Sequence, residues 1–335
     1  MSKFSVNVLN KRVFPFAQTQ DPDVILGASF GEDVALTRVG DDILVSHTDP
    51  IIGAISQIGW LAVHVACNDV ATAGVPPRWV LLLVIVPGME DEDLLEEIMR
   101  DAGRASREIG VSIIGGHTGY SANLSRPLVA VTALGTASGR RVVRTRGAQA
   151  GDHVLVTKGV GLEGTSILAQ DFPDVAQRLG LGDQDLSEAR GLMKEVSVVP
   201  EAVALAAQGA TAMHDVTRGG LLETLLEMAA LSGVGIEIDD ESIPVPAVVS
   251  RFAGAFEFNP LKMISSGTLA AAVPAGNKEN AAGALKELGI PFACIGRVVE
   301  GEGVRILCSG KSTLYKDIRC EDDELARMWA LYPRA

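Results

Sequence analysis

Apolar positions along the chain change rhythm at regular intervals, and each change marks an element. Residues 33–38 and 42–48 read as two strands joined by a turn at Gly40-Asp41. "ISQIGWLAVHVACNDVATA" (55–73) predicts a helix rich in small residues, stopped by Gly74 and the pair Pro76-Pro77. "RWVLLLVIV" (78–86) is one continuous apolar run, the pattern of a strand buried on both faces. Residues 90–110 give the clearest amphipathic helix. Leu94, Leu95, Ile98, Met99, Ala102 and Ala105 share a face, acids crowd the first turn, and Gly110 closes it. "VSIIGG" (111–116) and "PLVAVTALGTA" (127–137) follow as strands.

The pattern breaks at 138–151, "SGRRVVRTRGAQAG", which is basic, rich in turn residues and poor in large apolar ones. It places a boundary between domains at 1–145 and 146–335, as expected for a chain of 335 residues. A second unit then opens with "DHVLVTKGVG". Helices are predicted at 163–170, 200–208, 218–232 and 277–288, and strands at 234–238, 268–274, 293–299 and 303–308. "DDELARMWALY" reads as a short closing helix. Alanine, valine and leucine carry the packing while aromatics supply only 4% of residues, which suits α/β layers.

A net charge of −13 argues against a nucleic-acid backbone or an anionic membrane as main partner, though not against a nucleotide held through a metal. No apolar stretch reaches membrane-spanning length, so the cytoplasm is the expected compartment. Cys67, Cys294, Cys308 and Cys320 show no C-x-x-C spacing, which predicts reduced thiols over a zinc site or redox pair.

Three acids stand where apolar residues are expected. Asp33 is followed by "VAL", Asp49 ends "ILVSHT", and Asp69, with Asn68, interrupts a small and apolar helix. Three carboxylates on one domain suit Mg²⁺, a hard cation that bridges phosphates. Singly, each also suits a turn, a strand end or a helix cap, and spacing alone does not bring them together. In "GGHTGYSANLSRP", Gly115 and Gly116 let backbone approach a ligand, while His117, Thr118 and Ser121 offer polar groups; a surface loop fits as well. "KGVGLEGTSILA", with Gly159 and Gly161, is a strand, glycine turn and helix start of the kind that presents N–H groups to phosphate. "HDVTRGGLLETLLEMA" is a similar step in which Asp215, Thr217, Arg218 and Gly219 precede a helix, with Thr217 a possible cap. "CSGKS" (308–312) ends like a phosphate-binding loop, but Arg305 stands where that loop needs glycine, so the segment reads as a turn. Arg140, Arg141, Arg144 and Arg146 form a solvated linker face or steer an anion towards the cleft.

Taken in order, "GEDVALTRV", "ILVSHTDPI", "ACNDVATAGVPPRWVLL", "IIGGHTGY", "RPLVAVTALG", "GDHVLVTKGVGLEGTSILA" and "MHDVTRGGLLETLLEMA" resemble the motifs of the AIR synthase (PurM-like) superfamily. "HDVTRGGL" and "EGTSILA" look most like HypE hydrogenase-maturation proteins and their relatives. The resemblance implies an α+β fold of two α/β domains, with the N-terminal domains of two subunits pairing into a homodimer. It implies ATP in a cleft, with Mg²⁺ on Asp33, Asp49 and Asp69. Gly115, Gly116 and Thr118 match a nucleotide turn, and Asp215, Thr217 and Arg218 match a loop that closes on the site. His117 stands where many members carry an acid.

HypE proteins end in a Pro-Arg-Ile-Cys-like tail, whereas this chain ends "MWALYPRA". Two functions follow from the resemblance. One is an ATP-dependent enzyme that phosphorylates an amide or carbonyl oxygen of a small-molecule or protein-borne substrate, with Asp49, His117, Asp215 and Arg218 in the catalytic set. The other is a nucleotide-binding accessory or scaffold protein of a maturation complex.

Overall fold

The computed structural model describes residues 4–51, 57–139, 141–317 and 323–332. The first residues of the helix expected at 55–73, together with Arg140, Cys320 and Asp322, lie outside the described residues.

A short helix α1 (Val6–Arg12) precedes a six-stranded sheet. Its strands are β1 (Val24–Leu26), β2 (Ala35–Val39), β3 (Asp42–Ile51), β4 (Pro77–Val86), β5 (Ser112–Tyr120) and β6 (Leu128–Thr136), in the order β1-β2-β3-β6-β4-β5. All neighbours run antiparallel except β4 and β5. Helices α2 (Ile58–Thr72) and α3 (Glu92–Ile109) join Val80, Leu82, Val84, Val129, Val131 and Ala133 of the sheet in one core. Side chains alternate across a strand, so Leu81, Leu83 and Ile85 turn to the opposite face, where Leu81 is exposed and Leu83 and Ile85 are half-buried. β3 runs three residues beyond the expected 48, through Pro50. Past Ser46 only β6 pairs with it, so the missing N–H of proline falls on a free edge.

The expected turn at Gly115-Gly116 is instead the middle of β5, which continues to Tyr120. Glycine is required there for packing: a Cβ on Gly116, whose φ is +148°, would sit 1.9 Å from the carbonyl oxygen of Leu82.

The second sheet has seven strands: β7 (His153–Thr157), β8 (Ala212–Asp215), β9 (Gly235–Asp239), β10 (Leu269–Val273), β11 (Phe292–Val299), β12 (Gly303–Cys308) and β13 (Lys311–Tyr315). Their order is β13-β12-β9-β11-β7-β10-β8, parallel only between β9 and β12. Around it lie α4 (Leu162–Asp171), α5 (Pro173–Arg178), α6 (Asp183–Gly191), α7 (Val199–Ala207), α8 (Gly220–Ser232), α9 (Ala247–Phe256), α10 (Lys278–Glu287) and α11 (Glu324–Leu331). Val154 and Val156 of β7 pack with α8, whereas Leu155 packs with α7 and α10. That two-sided burial explains the unbroken apolar run "VLV" (154–156). "CSGKS" is the β12–β13 hairpin, with its turn at Ser309-Gly310. Strand β8 has four residues, too short for any alternation to show.

The two halves meet along α2. Asn68 donates from Nδ2 to the Val196 carbonyl and accepts from the Val198 N–H, both at 2.8 Å. Six residues on, just past the end of α2, Gly74 approaches α7 so closely that a Cβ would lie 2.4 Å from Ala206 Cβ. Burial pushes the Cys67 thiol on this helix up to about 12, the state of an inert core thiol. Among the described residues, no helix is long and apolar enough to cross a membrane.

Candidate active site

A cavity of about 690 Å³ opens between the two halves of the chain, and Asp33, Asp49 and Asp69 all line it. Asp33 comes from the loop before β2, Asp49 from the helix-covered face of β3, and Asp69 from α2. Every residue of α2 is buried, so Asp69 cannot turn to solvent. Its pKa is raised well above the ordinary value by burial, then by the nearby charges of Asp215, Asp33 and Asp49. Asp33 is pushed up to about 7 by burial, with Asp215 and Glu227 adding to the rise and His214 opposing it.

The second half contributes the end of β8 and the turn into α8. His214 Nδ1 lies 3.2 Å from Asp33 Oδ1 and 3.6 Å from Asp215 Oδ1, while its Nε2 lies 2.9 Å from Glu227 Oε2. Burial opposes a charge on His214, but Asp33, Asp215 and Glu227 outweigh it and lift its pKa well above the usual histidine value. Across the cleft, His47 Nε2 stands 3.4 Å from Asp69 Oδ2, and its Nδ1 bonds with the Asp33 carbonyl. Glu163 of α4 lines the same wall, its pKa raised by burial against the pull of Ser266 and Arg218.

Thr217 and Arg218 also reach the cavity. Thr217 does not cap α8; the N-cap is Gly219, at φ +79°. Arg218 Nη1 is 2.7 Å from Asp323 Oδ2, and its guanidinium lies 5.7 Å from the centre of the Trp329 ring. Leu325 and Trp329 of α11, with Phe4 and Leu9 at the other end of the chain, contribute to the apolar part of the lining.

Other expected residues lie elsewhere. Gly115, Gly116, His117 and Thr118 are exposed positions of β5, not a turn over the cavity. Register places His117 opposite Leu83, on the sheet face that the helices leave uncovered, whereas Asp49 lies opposite Val131 on the covered face. Within one chain the structure therefore does not bring His117 to Asp49. Gly159 and Gly161 also stand back from the cavity. A Cβ on either would meet Pro246 or Val249 at 2.8 Å, and the N–H groups of Val160, Leu162 and Gly164 are taken by Pro244, Ser265 and Ile264. Gly219 opens on a separate cavity of about 290 Å³, beside Lys262 and Lys316.

Reading the sequence missed His47, Glu163, His214 and Glu227. His47 carried a usable signal: two residues before Asp49 in a strand, it must share that residue's face. Glu227 is a charge inside the apolar run of α8, a weaker sign of the same kind.

Residues 31–137 match the N-terminal domain and residues 149–309 the C-terminal domain of AIR synthase related proteins, and the chain belongs to that family. Within it, the chain is 30% identical to carbamoyl dehydratase HypE of Rhizobium leguminosarum bv. viciae, over 80% of this chain and 77% of that protein. The crystal structure of E. coli HypE is similar at TM-score 0.71 and 27% identity, covering 82% of this chain and 85% of that one. A crystal structure of hydrogenase maturation protein HypE in complex with ATP is similar at TM-score 0.68 and 25% identity, covering 83% and 86%.

Proposed function

We propose that this chain is a Mg²⁺- and ATP-dependent enzyme that phosphorylates an amide or carbonyl oxygen of a small-molecule or protein-borne substrate. The observation that carries the reading is the convergence of Asp33, Asp49 and Asp69 on one cavity, where burial and mutual repulsion make their charges costly without a cation. Asp33 Oδ2 is buried with no hydrogen-bond partner among the described residues, and an all-oxygen donor set fits Mg²⁺. Those three aspartates would hold the ion, which when bound neutralises triphosphate charge. The ATP complex of a similar HypE supports the choice of nucleotide.

The chain's own groups then position and polarise. Arg218 supplies a fixed positive charge for a phosphoryl oxygen once it leaves Asp323. Thr217 offers a hydroxyl beside it, and Glu163 a carboxyl able to exchange a proton on the same wall. A second copy pairs over the uncovered sheet face, which places Gly115 and His117, opposite Leu81 and Leu83, at the subunit seam.

Calorimetry of the full chain with ATP, in Mg²⁺ and in chelator, tests the reading together with phosphate release in the presence of simple amides. Mg²⁺-dependent binding and amide-stimulated release are expected; absence of nucleotide binding under both conditions overturns it. The accessory-protein reading is favoured by one contact, the pairing of Arg218 with Asp323 under α11. Tight ATP binding with no release on any amide would select it.

A further inference from the structure

One wall of the cavity is built by α4, the loop before β10 and α11. Glu163 and Ile167, four residues apart on α4, share a face and line it with Ile264, Ser266, Leu325 and Trp329. The wall is held firmly. The Gly164 N–H donates to the Ile264 carbonyl at 3.0 Å, and a Cβ on Gly267, at φ +103°, would collide with the Glu195 carbonyl. Two polar groups in this wall lack a partner. Glu163 is 5% exposed, and Ser266 bonds to its carboxyl through the hydroxyl and the backbone N–H. Its Oε2 is nevertheless buried with no hydrogen-bond partner among the described residues, and so is Nε1 of Trp329. A buried indole N–H ordinarily finds an acceptor, and polar groups left unpaired in such a place are costly.

The chemistry of these two groups selects a ligand. An indole N–H only donates, so its partner must accept. A carboxyl donates when uncharged, the form that burial favours for Glu163, and accepts when ionised. A carboxamide answers both, with a carbonyl that accepts and N–H groups that donate. An amine cation has no acceptor to offer. A carboxylate has no donor, and it would share the cavity with Asp33, Asp49 and Asp69. Arg218, the one lysine or arginine among the described lining residues, is already neutralised by Asp323. Ile167, Ile264 and Leu325 offer apolar surface to the rest of the molecule. We infer that Glu163, Ser266 and Trp329 form the acceptor subsite, and that it takes a small, uncharged carboxamide with an apolar body. The inference deepens the phosphoryl-transfer reading and rests on it only for the fate of the bound amide. Helix α11 lies beyond residues 149–309, so Trp329 brings to the site a group from outside the matched C-terminal domain.

The test is binding to the full chain without nucleotide. Calorimetry is combined with NMR of the indole N–H signals of Trp60, Trp79 and Trp329, the three tryptophans of the chain. The probes are phenylacetamide, phenylacetate, phenethylamine and acetamide. Phenylacetamide is expected to bind saturably, at least about 10-fold more tightly than each of the others. It is expected to move the Trp329 signal and leave those of Trp60 and Trp79 in place. Trp329→Phe keeps a ring but no N–H, and is expected to weaken amide binding by about 3- to 10-fold. Glu163→Leu is expected to weaken it by at least about 10-fold, and Glu163→Gln, whose side chain again donates and accepts, to restore it to within about 3-fold. Phenylacetate or phenethylamine binding as tightly as phenylacetamide overturns the inference whether or not a variant folds. So does an absence of saturable amide binding, or amide binding that leaves the Trp329 signal unmoved. Amide binding by a chain that binds no ATP would remove the nucleotide reading and leave the subsite; ATP binding without amide binding would do the reverse.

Discussion

Arg218 and Asp323 form a 2.7 Å ion pair that joins the loop before α8 to the last described helix. The other oxygen of Asp323 accepts the N–H groups of Leu325 and Ala326, at 2.9 and 3.2 Å, so one buried carboxylate both caps α11 and neutralises Arg218. Asp323→Ala removes the cap and strands the guanidinium, a local cost of about 2 kcal/mol or more. Faster hydrogen exchange across 324–331 with the core unchanged is the expected result. Unchanged exchange there would show that the apolar contacts of Leu325 and Trp329 hold the helix unaided.

Asp69→Asn should separate stability from function. It removes a buried charge that Asp215, Asp33 and Asp49 repel. The metal-free variant is expected to melt a few degrees higher, a gain of about 1 kcal/mol. ATP turnover is expected to vanish, as it is in Asp49→Ala, which should fold normally. Retained turnover in both variants would remove these acids from the site.

Asn68→Ala leaves the Val196 carbonyl and the Val198 N–H buried without their partner. At about 1–3 kcal/mol for each of the two orphaned groups, urea unfolding should lose about 2–6 kcal/mol. Asn68→Asp keeps an acceptor but no donor for Val196, so it should recover only part of that loss.

His64 gives a pH dependence of known sign. Burial holds its pKa down from 6.5 to about 4, against the pull of Glu108. As pH falls through 6.5 the unfolded chain takes up a proton that the folded chain refuses until about 4. Stability is therefore lost on acidification across that window, by up to about 3 kcal/mol. His64→Phe keeps a ring beside Trp60 and should flatten this part of the curve, read as the difference in urea midpoint between pH 7 and pH 4.5.

The uncovered sheet face gives a test of assembly. Leu83→Asp places a charge beside Leu81 and Ile85 without touching the core. Light scattering is expected to show a dimer for the unmodified chain and a monomer for the variant.

Much of the framework is written in local pattern. The amphipathic run at 90–110 becomes Glu92–Ile109, because burial on one face leaves a periodic trace; "RWVLLLVIV" becomes a strand within Pro77–Val86, but only one of its faces is buried within the chain, since Leu81 is exposed and Leu83 and Ile85 are half-buried. The three aspartates are visible for the same reason, as charges in apolar settings. The pairing of His214 with Glu227 and Asp33 is not, since it needs α8, β8 and the loop before β2 to meet in space. Gly115 and Gly116 mislead because glycine reads as a turn, while here its value is closeness to Leu82. Four-residue β8 leaves too few positions for any rhythm.

The seam along α2 has no slack. With Asn68 gripping backbone on the far side and Gly74 pressed to Ala206, the cavity walls cannot part like a hinged jaw without breaking buried bonds. Phe4, close to one end of the polypeptide, and Trp329, close to the other, thus border a cavity whose central masonry is fixed by Asn68 and Gly74.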